Sequence, residues 1–203
     1  NKNFLALIKN KPVITVIGAR NMWIFAQESI KKKIIKAGGN LVGNIPFIDR
    51  NNNSISAVTI LYWMLTGKKE RFLNIFPFPG INQEDINLAS KYGEIVCNAI
   101  HNESFTNLQE DFLSLGLIDI KTNILFIEPR AKKLFKIWAD LIIKKGTNKK
   151  KREIWIQIFK YYLLIALFII APVVLIFYTI FVIPFTRVSI KRKIKYYCSV
   201  KLK

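Results

Sequence analysis

Soft metal ligands and acidic side chains are what this sequence has least of. Two cysteines and one histidine in 203 residues are too few for a zinc module or an iron–sulfur cluster, and they cannot build a disulfide framework. Reduced thiols in a cytoplasmic setting are the expected state. Only 13 acids stand against 32 lysines and arginines, a net charge of +19. Neither GxGxxG nor GxxxxGK[ST] occurs, which removes the dinucleotide fingerprint and the phosphate-binding P-loop. Around the single histidine, His101, no nucleophile–base–acid triad can be assembled. The chain opens on Asn1 rather than Met, and further residues upstream are the expectation.

What is present in quantity is apolar surface. Half of the residues, 51%, are hydrophobic, so this is not a disordered basic tail. Splitting the chain after Asn148 separates two regions. Residues 1–148 carry a net +8, whereas residues 149–203 carry +11 with Glu153 as their single acid. A basic linker, 149–160, leads into Tyr161–Thr186, 26 residues without a charge, and a basic tail follows at 187–203. As a helix the uncharged stretch would be about 39 Å long, against about 30 Å of hydrocarbon in a bilayer. Seventeen of its residues are Leu, Ile, Phe or Val. Together they favour insertion by about 5–10 kcal/mol.

Seven lysines and arginines flank the stretch on each side, so the positive-inside rule selects no orientation. Both flanks favour an anionic cytoplasmic leaflet. A hairpin bent at Pro172 would satisfy both, but it leaves turn backbone facing lipid, which a kinked single span avoids. The two are balanced, with both ends on the cytoplasmic side preferred. Nucleic acid is a weaker partner: the densest basic runs border an apolar run, where lipid headgroups account for them.

In residues 1–148, Pro12–Ile17 is a β-branched run of the kind buried on both faces of a parallel sheet. A helix is predicted over Met22–Ala37, with Asn21 as N-cap and Gly38-Gly39 as stop. Met22, Ala26, Ile30 and Ile34 would face inward, and Lys31, Lys32, Lys33 and Lys36 outward. Leu41–Phe47 reads as a second strand, completing a βαβ unit. Asn51–Ser54 is a polar turn. Ala57–Leu65 is a helix apolar almost all round, either buried or dipping into a membrane interface. Further helices are predicted at Gln83–Ile100, Phe105–Leu115 and Glu128–Lys145. The last is amphipathic, with Ala131, Leu134, Phe135, Trp138, Leu141 and Ile142 on one stripe.

Ligands of open parallel sheets sit beyond the C-terminal ends of the strands, here Gly18–Trp23 and Phe47–Arg50. Gly18 permits close backbone approach, and amides opening the helix at Met22 can hold an anion. Arg20 adds a positive charge and Trp23 a stacking face; alternatively, Arg20 is a loop charge and Trp23 packs under the sheet. Asp49 and Glu70 are the carboxylates best placed for proton transfer. Cys97 and His101 lie four apart on a helix, but without a third ligand they read as a packed pair, and no metal is expected.

The run Val13–Arg50 resembles the second half of a flavodoxin-like domain. With Trp63–Glu70, the Phe-Pro-x-Pro-Gly loop at Phe76–Gly80 and the pair Tyr196-Tyr197, it is similar to the dialkylresorcinol condensing enzyme family. The resemblance implies an α/β fold: the C-terminal part of a flavodoxin-like doubly wound parallel sheet, with extra helices and a C-terminal membrane helix or hairpin. It also implies a role in aryl-lipid biosynthesis beside a ketosynthase-type condensing partner, as an FMN-dependent oxidoreductase or aromatase acting on a lipophilic aromatic substrate. The loop Gly18, Ala19, Arg20, Asn21, Met22 and Trp23 would correspond to the one lining the flavin ring. The first strand of a flavodoxin, with its phosphate-gripping loop, has no counterpart in these 203 residues. The competing expectation is a non-catalytic membrane adaptor that keeps a flavodoxin-like shell. Both place the protein at a membrane, with its soluble domain on the cytoplasmic side.

Overall fold

The computed structural model describes residues 2–202, which form a mixed α/β chain, mostly helical, in two compact units. One unit comprises residues 1–120 together with 192–203, and the other comprises 121–191. The division therefore falls elsewhere than at Asn148. The stretch expected as a linker, 149–160, is helical throughout.

The first unit opens with α1 (Lys2–Ile8), followed by β1 (Pro12–Ala19), α2 (Ile24–Lys36) and β2 (Asn40–Ile48). β1 and β2 pair in parallel, Val16 opposite Ile45 and Gly18 opposite Phe47, with an irregularity between Val13 and Ile14. The βαβ connection is as the pattern predicts. Six consecutive β2 residues, Leu41–Pro46, are buried, as in a strand covered on both faces. The sheet has two strands, so a full doubly wound sheet is not formed by the described residues. After β2 come α3 (Asn53–Thr66), α4 (Gln83–Asn87), α5 (Ala89–His101) and α6 (Leu108–Ser114). Val42 and Ile45 of β2 form the core with Tyr92, Leu108 and Phe112 of α5 and α6. Tyr92 packs edge-on against both Phe47 and Phe112.

Several local expectations shift. α2 begins at Ile24, and Asn21 does not cap it; its amide donates to the Asn53 side chain instead. The inward face of α2 is Ile24, Gln27, Lys31 and Ile34, while Ala26 and Ile30 are exposed. Lys31, expected outside, is 0% exposed. It is enclosed by residues 192–202: its ammonium bonds Glu28 at 2.7 Å and the carbonyls of Ser199 and Lys201 at 3.1 and 3.2 Å. Tyr196 places its ring 4.8 Å from the same nitrogen and donates its hydroxyl to Glu28. The tail is thus part of the α/β unit rather than a free basic extension.

α3 is capped by Asn52, which accepts from the Ser54 amide, and stops at Gly67, whose φ of 71° an L-residue rarely adopts. It is not a buried helix: Met64 and Leu65 are 76% and 84% exposed. The helix expected over 83–100 is broken at Leu88 into α4 and α5, with Asn82 capping α4.

The second unit is an antiparallel helical pair. α7 (Thr122–Lys145) starts six residues before the expected Glu128 and carries Pro129 inside it. Beside it runs one continuous helix, Lys149–Cys198, whose last residues belong to the α/β unit. Its segments are α8 (Lys149–Ile165), α9 (Ala171–Phe177) and α10 (Ile183–Cys198), separated by π-helical turns at Ala166–Ile170 and Tyr178–Val182. Each π turn lies just before a proline, Pro172 or Pro184. The wider turn accommodates the ring and the missing amide without a break. No hairpin forms at Pro172 for that reason.

Candidate functional site

The C-terminal ends of β1 and β2 meet as the sequence predicts, and the side chains there are engaged with one another. Asp49 follows β2 and is 3% exposed. Its Oδ1 accepts the Asn51 amide at 3.0 Å and the Asn51 side chain at 2.8 Å; its Oδ2 accepts the Ser56 hydroxyl at 2.6 Å. Its own amide donates to the carbonyls of Ala19 and Arg20. Asp49 thereby ties both strand ends to the first turn of α3. Such a carboxylate is a structural acceptor, because both oxygens are already bonded.

Arg20 donates Nη1 to the Asn53 carbonyl at 3.0 Å. Burial pulls its pKa down, and the nearby Asp49 charge partly restores it. Asn21 is held by Asn53 and Met22 is half-buried. Trp23 is 2% exposed, so its ring is buried within the α/β unit. Gly18 keeps some freedom of approach: a Cβ there would meet only Ile81, at 3.8 Å.

Glu70 does not join this cluster. Asp49 lies before α3 and Glu70 beyond its end, and a 14-residue helix separates them by about 21 Å. Glu70 is exposed and 4.0 Å from Lys68, so the two carboxylates are no acid–base pair. Cys97 and His101 are both on the surface of α5, which corrects the packed-pair expectation. Among the described residues no group of three metal-ligating side chains exists.

Beside Asp49, Arg50 bonds Asp85 Oδ2 through Nε at 2.8 Å and the Leu117 carbonyl through Nη2 at 3.0 Å. With Phe47, Tyr92 and neighbouring residues it lines a shallow recess of about 10 Å³, room for one water molecule. Organic-ligand sites begin near about 300 Å³. Burial raises the Tyr92 pKa, against the lowering effect of Arg50. In the loop Gly18–Trp23 the tryptophan is buried and the arginine is bonded internally.

The feature that sequence reasoning missed is a chain of polar side chains through the unit. Gln27 donates to Thr15 at 2.9 Å, Thr15 to Asn44 at 3.0 Å, and the Asn44 amide to Gln109 at 2.7 Å. Gln109 donates in turn to the Cys198 carbonyl at 2.8 Å. Polar residues interrupting apolar runs, Thr15 in β1 and Asn44 in β2, were the available signal. No protein-family model, curated protein or solved structure matches the chain.

Proposed function

We propose that this protein is a membrane-anchored adaptor, its α/β unit held at the cytoplasmic face of a bilayer to dock a partner rather than to turn over a substrate. The observation that carries the reading is the helix Lys149–Cys198, long and apolar enough to cross a membrane, with only 6% of its most apolar window buried. A core helix of a soluble protein would be covered; an exposed apolar face of this size needs lipid or protein against it. The internally bonded cluster at Arg20, Asp49 and Ser56 supports docking over catalysis. By the resemblance to the dialkylresorcinol condensing enzymes, the partner would be a ketosynthase-type condensing enzyme working on aryl lipids.

The second reading is an FMN-dependent oxidoreductase or aromatase on a lipophilic aromatic substrate, favoured by the open approach to Gly18. It requires the strand-end loop to rearrange around the flavin. The visible spectrum of the full chain purified in detergent, before and after FMN addition, separates the two. Absence of a bound flavin band supports the adaptor; a near-stoichiometric band overturns it.

A further inference from the structure

Within the second unit, α7 lies antiparallel against the most apolar part of the long helix. Phe126 stacks on Tyr178 with ring centroids 4.0 Å apart, and Trp138 contacts Phe159 and Tyr162 at 5.4 and 4.9 Å. Residues 126–138 of α7 are therefore level with residues 162–178, the first two thirds of the uncharged stretch. On that part of α7, Arg130, Lys132, Lys133 and Lys136 are all exposed.

A full crossing by residues 161–186 would carry Arg130, Lys132 and Lys133 to bilayer depth, with Lys136 near its edge. At about 2.5–3.5 kcal/mol for each cation near the centre, the first three cost about 8–11 kcal/mol. That offsets the gain of about 5–10 kcal/mol from the apolar stretch itself. On the long helix Ile169, Val173, Ile176, Phe177, Ile180 and Phe185 remain exposed. The pair thus joins α7, whose exposed side chains include four cations, to a long helix whose exposed side chains are apolar. A cationic helix bound along an apolar one suits the membrane interface better than a full crossing.

We propose that the α7–long helix pair inserts into one leaflet of an anionic membrane, with α7 as its water-facing cover, so that both basic flanks stay on the same side. This rests on the membrane reading above. Its occupant is lipid, because Lys149, Lys150, Lys151 and Arg152 at one end of the apolar stretch and Arg187, Lys191 and Arg192 at the other complement anionic headgroups.

The test uses the full chain with Cys97→Ser and Cys198→Ser, and single cysteines at Glu153, Lys133, Val188 or Phe177. An impermeant maleimide is applied to sealed inverted and right-side-out vesicles from expressing cells. The expected result is labelling at 153, 133 and 188 from one and the same side, with 177 protected. Labelling at 153 and 188 from opposite sides, with 133 protected, means a full crossing and overturns the proposal while leaving the anchor intact. Chain recovered in the soluble fraction overturns the membrane reading itself; with 177 protected there, a second copy covers the apolar face. Should a variant fail to accumulate, trypsin on the parent chain decides equally. Cleavage near Lys149–Arg152 and near Lys191–Lys193 from one side supports one-leaflet insertion, and cleavage from opposite sides refutes it.

Discussion

Asp49 is bonded on both oxygens, and its substitution tests whether it is a latch or a chemical group. Asp49→Ala strands the Ser56 hydroxyl and the Asn51 amide, at a cost of about 1–3 kcal/mol, read as a lower denaturation midpoint of the full chain. The two thiols are distinguished by position as well. Cys97 is exposed, while Cys198 is half-buried, its pKa raised first by burial and then by Asp119. The thiolate is the reactive form. Iodoacetamide at neutral pH should therefore modify Cys97 well before Cys198, with the gap narrowing as pH rises; peptide mass mapping reads the order. Composition identified both cysteines as free thiols, but the burial of one came from the tail's packing.

At the scale of elements, two contacts decide how the α/β unit closes. Gly43 of β2 faces Phe112 of α6 so closely that a Cβ would stand 2.5 Å from the ring. Gly43→Val should cost about 1–3 kcal/mol by overpacking, measurable as a shift in the urea midpoint at constant slope. The other contact is the enclosure of Lys31 by Glu28, Tyr196 and two tail carbonyls. Removing one partner of a buried ion pair costs about 3–5 kcal/mol. Lys31→Ala should free the tail, which limited trypsin digestion would reveal as faster cleavage at Arg192 and Lys193. Strand, helix and strand between Pro12 and Ile48 were legible because β-branched runs and glycine stops are local signals. The inward face of α2 was not: Ala26 and Ile30 fit the helical period, but Lys31 and the Nε2 of Gln27 have partners more than ten residues away.

For the whole molecule, the membrane reading predicts behaviour on fractionation. Charge attraction alone is screened at high salt, whereas apolar insertion is not. The chain should stay with the membrane pellet through a high-salt wash and enter solution only with detergent, as an immunoblot of the fractions would show. Release by salt alone would assign the association to the basic flanks and not to residues 161–186. The long helix was readable because 26 uncharged residues are a one-dimensional signal. Its continuity through Pro172 was not, since that depends on π turns which no composition encodes.

The sequence by itself determined the parallel βαβ unit, the apolar helix and the distribution of charge, all of which follow from short-range periodicity and from counting. Tertiary structure alone decided that Trp23 is packed away, that the tail closes over Lys31, and that α7 lies along the apolar helix. Each of these depends on contacts between distant segments, where the compensation of a buried charge or amide is set by geometry and leaves no mark in local spacing.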